Sequence, residues 1–121
     1  MKVLITDDSE FMRKIIRSSL SGVPGSHEFM EAENGDVAVE LCRTFKPDIV
    51  FLDIIMPVKN GIMAMEEIKA MSPTTKVVIV TSVGQEEMVS KAKELNADEF
   101  IPKPFQPAQI KEVFQKFLGQ Q

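Results

Sequence analysis

Five polar residues fall at the ends of apolar, strand-like runs: Asp7 and Asp8 after VLIT, Asp53 after IVFL, Thr81 after VVIV and Lys103 after FIP. If those runs are parallel strands of one sheet, the five side chains meet at a single edge. Three carboxylates, a hydroxyl and an ammonium form a poor structural device, because the carboxylates repel one another unless a cation and an anionic partner join them. The pattern asks for a metal and a phosphate. Two adjacent acids opposite a third make part of an octahedral Mg²⁺ site that phosphate oxygens and water complete. A carboxylate held beside such a metal can attack phosphorus and become an aspartyl phosphate. That transfer needs mainly positioning and charge neutralisation, which a metal and a lysine can supply.

Each residue alone also has a plainer reading. Asp7-Asp8 before Ser9 suits a βα turn with acids at a helix N-terminus. Asp53, ahead of Ile54-Ile55-Met56-Pro57 and the turn-like Lys59-Asn60-Gly61, could simply end a strand. Thr81, at the start of TSVGQ, could cap the next helix, or could donate to a phosphoryl oxygen. Lys103 could be a solvated charge, but Pro102 and Pro104 flank it and restrict it, and Pro104 raises the frequency of a cis bond that would aim the ammonium inward. The company of the five, rather than any one of them, points to a site.

The elements that must position them follow from periodicity. Strands are expected at 2–6 (KVLIT), 27–32 (HEFMEA), 48–52 (DIVFL), 76–80 (KVVIV) and 98–101 (DEFI). Helical stripes lie between them: Met12, Ile15, Ile16, Ser19 and Leu20 with Ser9 as N-cap; Val37, Ala38, Leu41, Cys42 and Phe45; Ile62, Met65 and Ile68; Met88, Ala92 and Leu95. The last stripe is the clearest, formed by Ile110, Val113, Phe114, Phe117 and Leu118. Gly22 to Gly25, Pro47 and Ser72-Pro73 punctuate the helix ends. Strands alternating with helices indicate right-handed βαβ crossovers and a parallel sheet covered on both faces. The 27–32 strand is more polar and belongs at an edge. In such sheets the site lies beyond the carboxyl ends of the strands, near the point where strand order reverses.

Composition bounds the function. The chain has 121 residues, 44% hydrophobic and 26% charged, which suits one soluble domain with a real core. A net charge of -4 gives no basic footprint, so neither nucleic acid nor an anionic membrane is expected as a partner. The opening MKVLITDD lacks a secretory pattern, no uncharged run approaches a membrane span, and a cytoplasmic protein is expected. His27, the only histidine, is expected to be solvated and supports neither a histidine-based triad nor a phosphodonor. Cys42 and most of the methionines, Met12, Met65 and Met88 among them, read as packing residues. Gly22-Val23-Pro24-Gly25 is too short and wrongly spaced for a phosphate-cradling P-loop.

DD near the N-terminus, D-x-x-M-P-x-x-x-G from Asp53 to Gly61, TS at Thr81-Ser82 and KPF at Lys103 to Phe105 together resemble the receiver domain of two-component response regulators, along the whole chain. TSVGQEEMV with FIPKPFQPAQI is most similar to the stand-alone chemotaxis regulators of the CheY type. The resemblance implies a single flavodoxin-like (βα)5 receiver over 1–121, with a five-stranded parallel sheet of order 2-1-3-4-5 and helices on both faces. That strand order is a property of the family and does not come from spacing.

The same resemblance implies that Asp53 accepts a phosphoryl group from a sensor histidine kinase, a chemotaxis kinase in the nearest case. Asp8 and Asp53 would hold Mg²⁺ directly with the backbone carbonyl of Ile55, Asp7 would act mostly through water, and Thr81 and Lys103 would contact the phosphoryl oxygens. Phe100 matches the aromatic position that turns inward in the active state; its plainer reading is a buried strand residue. Output would pass from the face near 85–95, 98–101 and 107–118 to a motor-switch or adaptor protein, with a phosphatase as a further partner and the protein a monomer. Ile55 and Val83 are apolar where polar side chains often position the hydrolytic water, so slow loss of the phosphoryl group is expected.

Rival readings come from other classes. A receiver excised from a larger regulator, or a single-domain phosphorelay intermediate, would share every one of these residues. An Mg²⁺-dependent aspartyl-phosphate phosphatase would carry a second acid at the position of Ile55 and a cap over its substrate. A flavin module would not place Asp7-Asp8 where the flavin phosphate lies. A scaffold that is never phosphorylated would need only the core. The reading is therefore a phosphoacceptor signalling domain, with self-phosphorylation and autodephosphorylation chemistry but no turnover of an external substrate.

Overall fold

The computed structural model describes residues 1–82 and 84–119. Strands β1 (Lys2–Thr6), β2 (Glu28–Ala32), β3 (Ile49–Asp53), β4 (Lys76–Thr81) and β5 (Glu99–Pro102) alternate with helices α1 (Glu10–Leu20), α2 (Gly35–Thr44), α3 (Gly61–Met71), α4 (Glu86–Glu94) and α5 (Pro107–Leu118). Every strand pair is parallel, and the order is β2-β1-β3-β4-β5. Strand order therefore reverses at β1 and β3, the strands that carry the acids at their ends. Asp53 and Thr81 are the last residues of their strands, one position earlier relative to the strand end than expected.

The alternation of side chains along each strand divides the core in two. Leu4, Val50, Leu52, Val77 and Ile79 face α2, α3 and α4 through Ala38, Cys42, Met65, Ile68 and Ala92. Val3, Ile5, Ile49, Phe51 and Val78 face α1 and α5 through Ile16, Leu20, Ile110, Phe114 and Phe117. All five positions of β3 are buried, as a central strand covered on both faces requires. Truncating the fully buried Phe51 to alanine would cost about 3–5 kcal/mol. β2 lies at the edge and exposes alternate residues.

The helices begin where the sequence offers caps. Ser9 Oγ accepts from the Met12 amide at 3.2 Å, and Asn34 Oδ1 from the Val37 amide at 2.9 Å. Asn60 Oδ1 accepts from the Met63 amide at 3.0 Å. Among the described residues no helix is long and apolar enough to cross a membrane.

Two expectations need correction. In α2 the inward stripe is Gly35, Ala38, Val39 and Cys42, while Val37 is exposed. The rotation follows from docking at the helix start: the Gly35 amide donates to the Lys59 carbonyl at 3.2 Å, and any Cβ on residue 35 would collide with that carbonyl. His27 is half-buried instead of solvated. Its ring stands edge-on to Phe114 with centroids 5.1 Å apart, and Nδ1 lies 3.2 Å from the N-terminal amine.

Candidate functional site

The carboxyl ends of β1 and β3 bring three acids together. Asp7, Asp8 and Asp53 can each offer an oxygen such that all three atoms lie within 4.8 Å of one another. Asp7 and Asp53 are buried and Asp8 is exposed, so the cluster opens to solvent on one side. Lys103 crosses from the end of β5 to meet it. Its Nζ stands 3.1 Å from Asp7 Oδ2 and 3.4 Å from Asp53 Oδ2. The Lys103-Pro104 peptide is cis, as its sequence suggests, and the Lys103 amide donates to the Thr81 carbonyl at 2.6 Å.

Electrostatics makes Asp53 the unusual member. Burial pushes its carboxyl up to about 6, the charge of Asp7 adds to the rise, and Lys103 opposes it. Asp53 is thus an ionised but unusually basic carboxylate at neutral pH.

Several residues outside the expected set hold the acids in place. Asp7 Oδ1 accepts from the Ser9 amide at 2.9 Å, and the Asp7 carbonyl accepts from Arg13 Nη1 at 2.6 Å. Arg13 Nε in turn donates to Glu31 Oε1 at 2.9 Å, tying α1 and β2 to the acidic turn. Below Asp53, Gly61 is required by close approach. A Cβ there would strike the Asp53 carbonyl, and the Gly61 amide donates to the Ile54 carbonyl at 2.7 Å. A glycine at the first turn of α3 therefore lets that helix seat directly against the end of β3.

Thr81 reaches the same edge, but its hydroxyl bonds to the start of α4 and to none of the three acids. Oγ1 donates to Gln85 Oε1 at 2.9 Å. Phe100 is half-buried, packed at the margin of the core beneath α4, with Lys93 Nζ 5.6 Å from its ring centroid. The Ile55 side chain is 54% exposed at the rim of the site. Val83 lies outside the described residues. Phe11, Ile55 and Val58 leave apolar side chains in solvent, which strand and helix patterning does not reveal. Arg13 and Gln85 lie outside the strand-end set; a cation one helical turn past Ser9 and a polar residue at the start of α4 are their only marks in the sequence.

A cavity of about 600 Å³ lies at the opposite pole of the sheet against Cys42, Pro47, Thr75 and Phe117, and shares no residue with the acids.

A sequence profile for the response regulator receiver domain matches residues 3–115. The chain belongs to the response regulator receiver family. A chemotaxis protein CheY from Halobacterium salinarum is 42% identical, with 97% of this chain and 96% of that protein covered. One from Thermotoga maritima is 42% identical over 95% of each. The receiver domain of NtrX from Brucella abortus superposes with a TM-score of 0.88 at 29% identity, covering 98% of this chain and 99% of that one. As a CheY-type receiver, the protein is a phosphorylation-activated switch of a two-component system.

Proposed function

We propose that Asp53 is the phosphoacceptor and that its modification reports a histidine kinase's activity to a chemotaxis output. The observation that carries this reading is the placement of a buried, unusually basic carboxylate within reach of two further acids and one ammonium. A lone pair on an Asp53 carboxylate oxygen would form the new O–P bond. The P–N bond to the donor imidazole would break, with its electron pair leaving on nitrogen. Lys103, already 3.4 Å from Asp53, would follow the incoming negative charge and stabilise it.

The donor set fits a hard divalent cation, since it offers carboxylate oxygens and no sulfur or imidazole. Asp8 and Asp53 would hold Mg²⁺ directly with the Ile55 carbonyl, and Asp7, engaged by Lys103 and the Ser9 amide, would act through water. Bound there, Mg²⁺ would neutralise the carboxylates and the phosphoryl oxygens.

Phosphorylation adds about -1.5 to -2 charges and three acceptor oxygens. Thr81 and Lys103 would turn to them, and Phe100, half-buried under α4, would move with the β4–α4 loop. The readout would be the face of α4, β5 and α5, which an adaptor or motor-switch protein would recognise. The same site would accept phosphoryl groups from small donors and lose them by hydrolysis, slowly, because Ile55 offers no polar group to the attacking water. A half-life of seconds without a phosphatase would count against that slowness. The chemotaxis assignment is supported by relatives named CheY that match over nearly the whole of both chains. We place the whole of residues 1–121 in this one receiver, working as a cytoplasmic monomer.

Incubation with acetyl phosphate, with and without Mg²⁺, tests the reading by intact mass. Wild type should gain one phosphoryl group only with Mg²⁺, and Asp53→Asn none. An adduct that forms without Mg²⁺ or survives the substitution would overturn it.

A further inference from the structure

Gln85 occupies the N-cap position of α4, yet its side chain makes no cap to that helix. It turns back instead. Oε1 accepts from Thr81 Oγ1 at 2.9 Å and from the Ser82 amide at 2.7 Å. The Ser82 N–H can only donate, so it fixes which amide atom of Gln85 faces the pair. A threonine hydroxyl carries one proton. While that proton is committed to Gln85, it is not available to a phosphoryl oxygen on Asp53.

We propose that Gln85 is a positioning residue for the switch, the acceptor that holds the Thr81 hydroxyl in the resting state and sets how much the phosphorylated state must overcome. The proposal rests on the role given to Thr81 above. Thr81 ends β4 and Gln85 begins α4, so a single hydrogen bond joins the residue that would sense the phosphoryl group to the start of a helix in the readout face. An open groove of about 370 Å³, lined by Thr81, Gln85, Val89, Lys93, Pro102 and Lys103, leaves room for the threonine and the start of α4 to rearrange. Transfer of the hydroxyl to a phosphoryl oxygen takes away one of Gln85's two donors. It thereby loosens the loop at the point where α4 begins. The device needs a side chain long enough to reach back from the N-cap and an acceptor at its tip, both of which Gln85 supplies.

The test uses the full chain with Mg²⁺ and beryllofluoride, a stable analogue of the phosphoryl group, titrated by calorimetry. Gln85→Ala should bind beryllofluoride about three- to tenfold more tightly than wild type, the range one net hydrogen bond spans. In a Thr81→Ala background the same substitution should change nothing. The Ser82 amide should be protected from hydrogen exchange in the resting wild type and lose that protection in Gln85→Ala, a readout independent of any phosphoryl analogue. Unchanged or weaker binding by Gln85→Ala would overturn the proposal, as would equal tightening in the Thr81→Ala background or an unprotected Ser82 amide in wild type. Failure of wild type itself to bind beryllofluoride would instead overturn the phosphoacceptor reading on which the proposal rests.

Discussion

The Lys103 ammonium stands 3.4 Å from Asp53 Oδ2, so the carboxylate proposed to receive the phosphoryl group already has a cation beside it. The same ammonium is closer still, at 3.1 Å, to Asp7. One positive charge is thus shared between two buried negative ones, with Asp8 at the rim. The site is overcharged at rest.

Replacing Asp53 by asparagine should stabilise the metal-free protein at neutral pH. Its folded value, about 6, lies above the ordinary 3.8, so the fold favours the protonated form. Stability contributed by that proton is therefore present below 3.8, is lost as pH rises through about 6, and is absent above it. In urea denaturation at pH 7.5 without Mg²⁺, Asp53→Asn should gain up to about 3 kcal/mol, at 1.36 kcal/mol for each unit of displacement. The gain should vanish near pH 3.5 and shrink when Mg²⁺ is added to both proteins. A destabilised variant at pH 7.5 would contradict the stated electrostatics.

Lys103→Met should move in the opposite direction. Lys103 is the one cation that holds the Asp53 carboxyl down, so its loss should raise the Asp53 titration midpoint further, as read by carboxyl carbon NMR. Stability at neutral pH should fall by about 2 kcal/mol, less than for a fully buried pair because the lysine side chain retains 19% exposure.

Gly61→Ala probes the support beneath Asp53. The new methyl group would meet the Asp53 carbonyl, and α3 would have to retreat from the end of β3. A loss of about 1–3 kcal/mol is expected, typical of overpacking. Equal stability in thermal or urea unfolding would show that the helix start yields more easily than the geometry implies.

Val58 should be improvable. It is a β-branched residue at φ +70°, 76% exposed, in a tight turn where the Lys59 amide donates to the Pro57 carbonyl at 2.8 Å. Asparagine tolerates that left-handed backbone better, so Val58→Asn should raise stability by about 1 kcal/mol. A fall in the unfolding midpoint would mean that the valine side chain makes contacts worth more than the strain.

Much of this site was legible because it hangs on strand ends. Runs such as IVFL and VVIV are buried on both faces and read clearly, and whatever follows them in a parallel sheet must fall at one edge. Asp7, Asp8, Asp53 and Lys103 were located by that reasoning alone. Thr81 falls at the edge too, but its hydroxyl follows the Gln85 side chain, which periodicity does not address. The support from Arg13 to the Asp7 carbonyl and the close approach at Gly61 are side-chain-to-backbone and backbone-to-backbone contacts. They leave no repeating mark in a sequence. In α2, hydrophobicity favoured Val37 as an inward residue, and docking of Gly35 on Lys59 rotated Val39 inward instead.

The central claim is that one carboxylate, Asp53, receives the phosphoryl group while its neighbours serve it. Borohydride reduces an aspartyl phosphate to homoserine, which peptide mass spectrometry locates to a single residue. After phosphorylation with acetyl phosphate and Mg²⁺, homoserine should occur at Asp53, with Asp7 and Asp8 unchanged. Homoserine at Asp7 or Asp8, or a phosphoryl group found on Ser9, Thr81 or Ser82, would contradict the account.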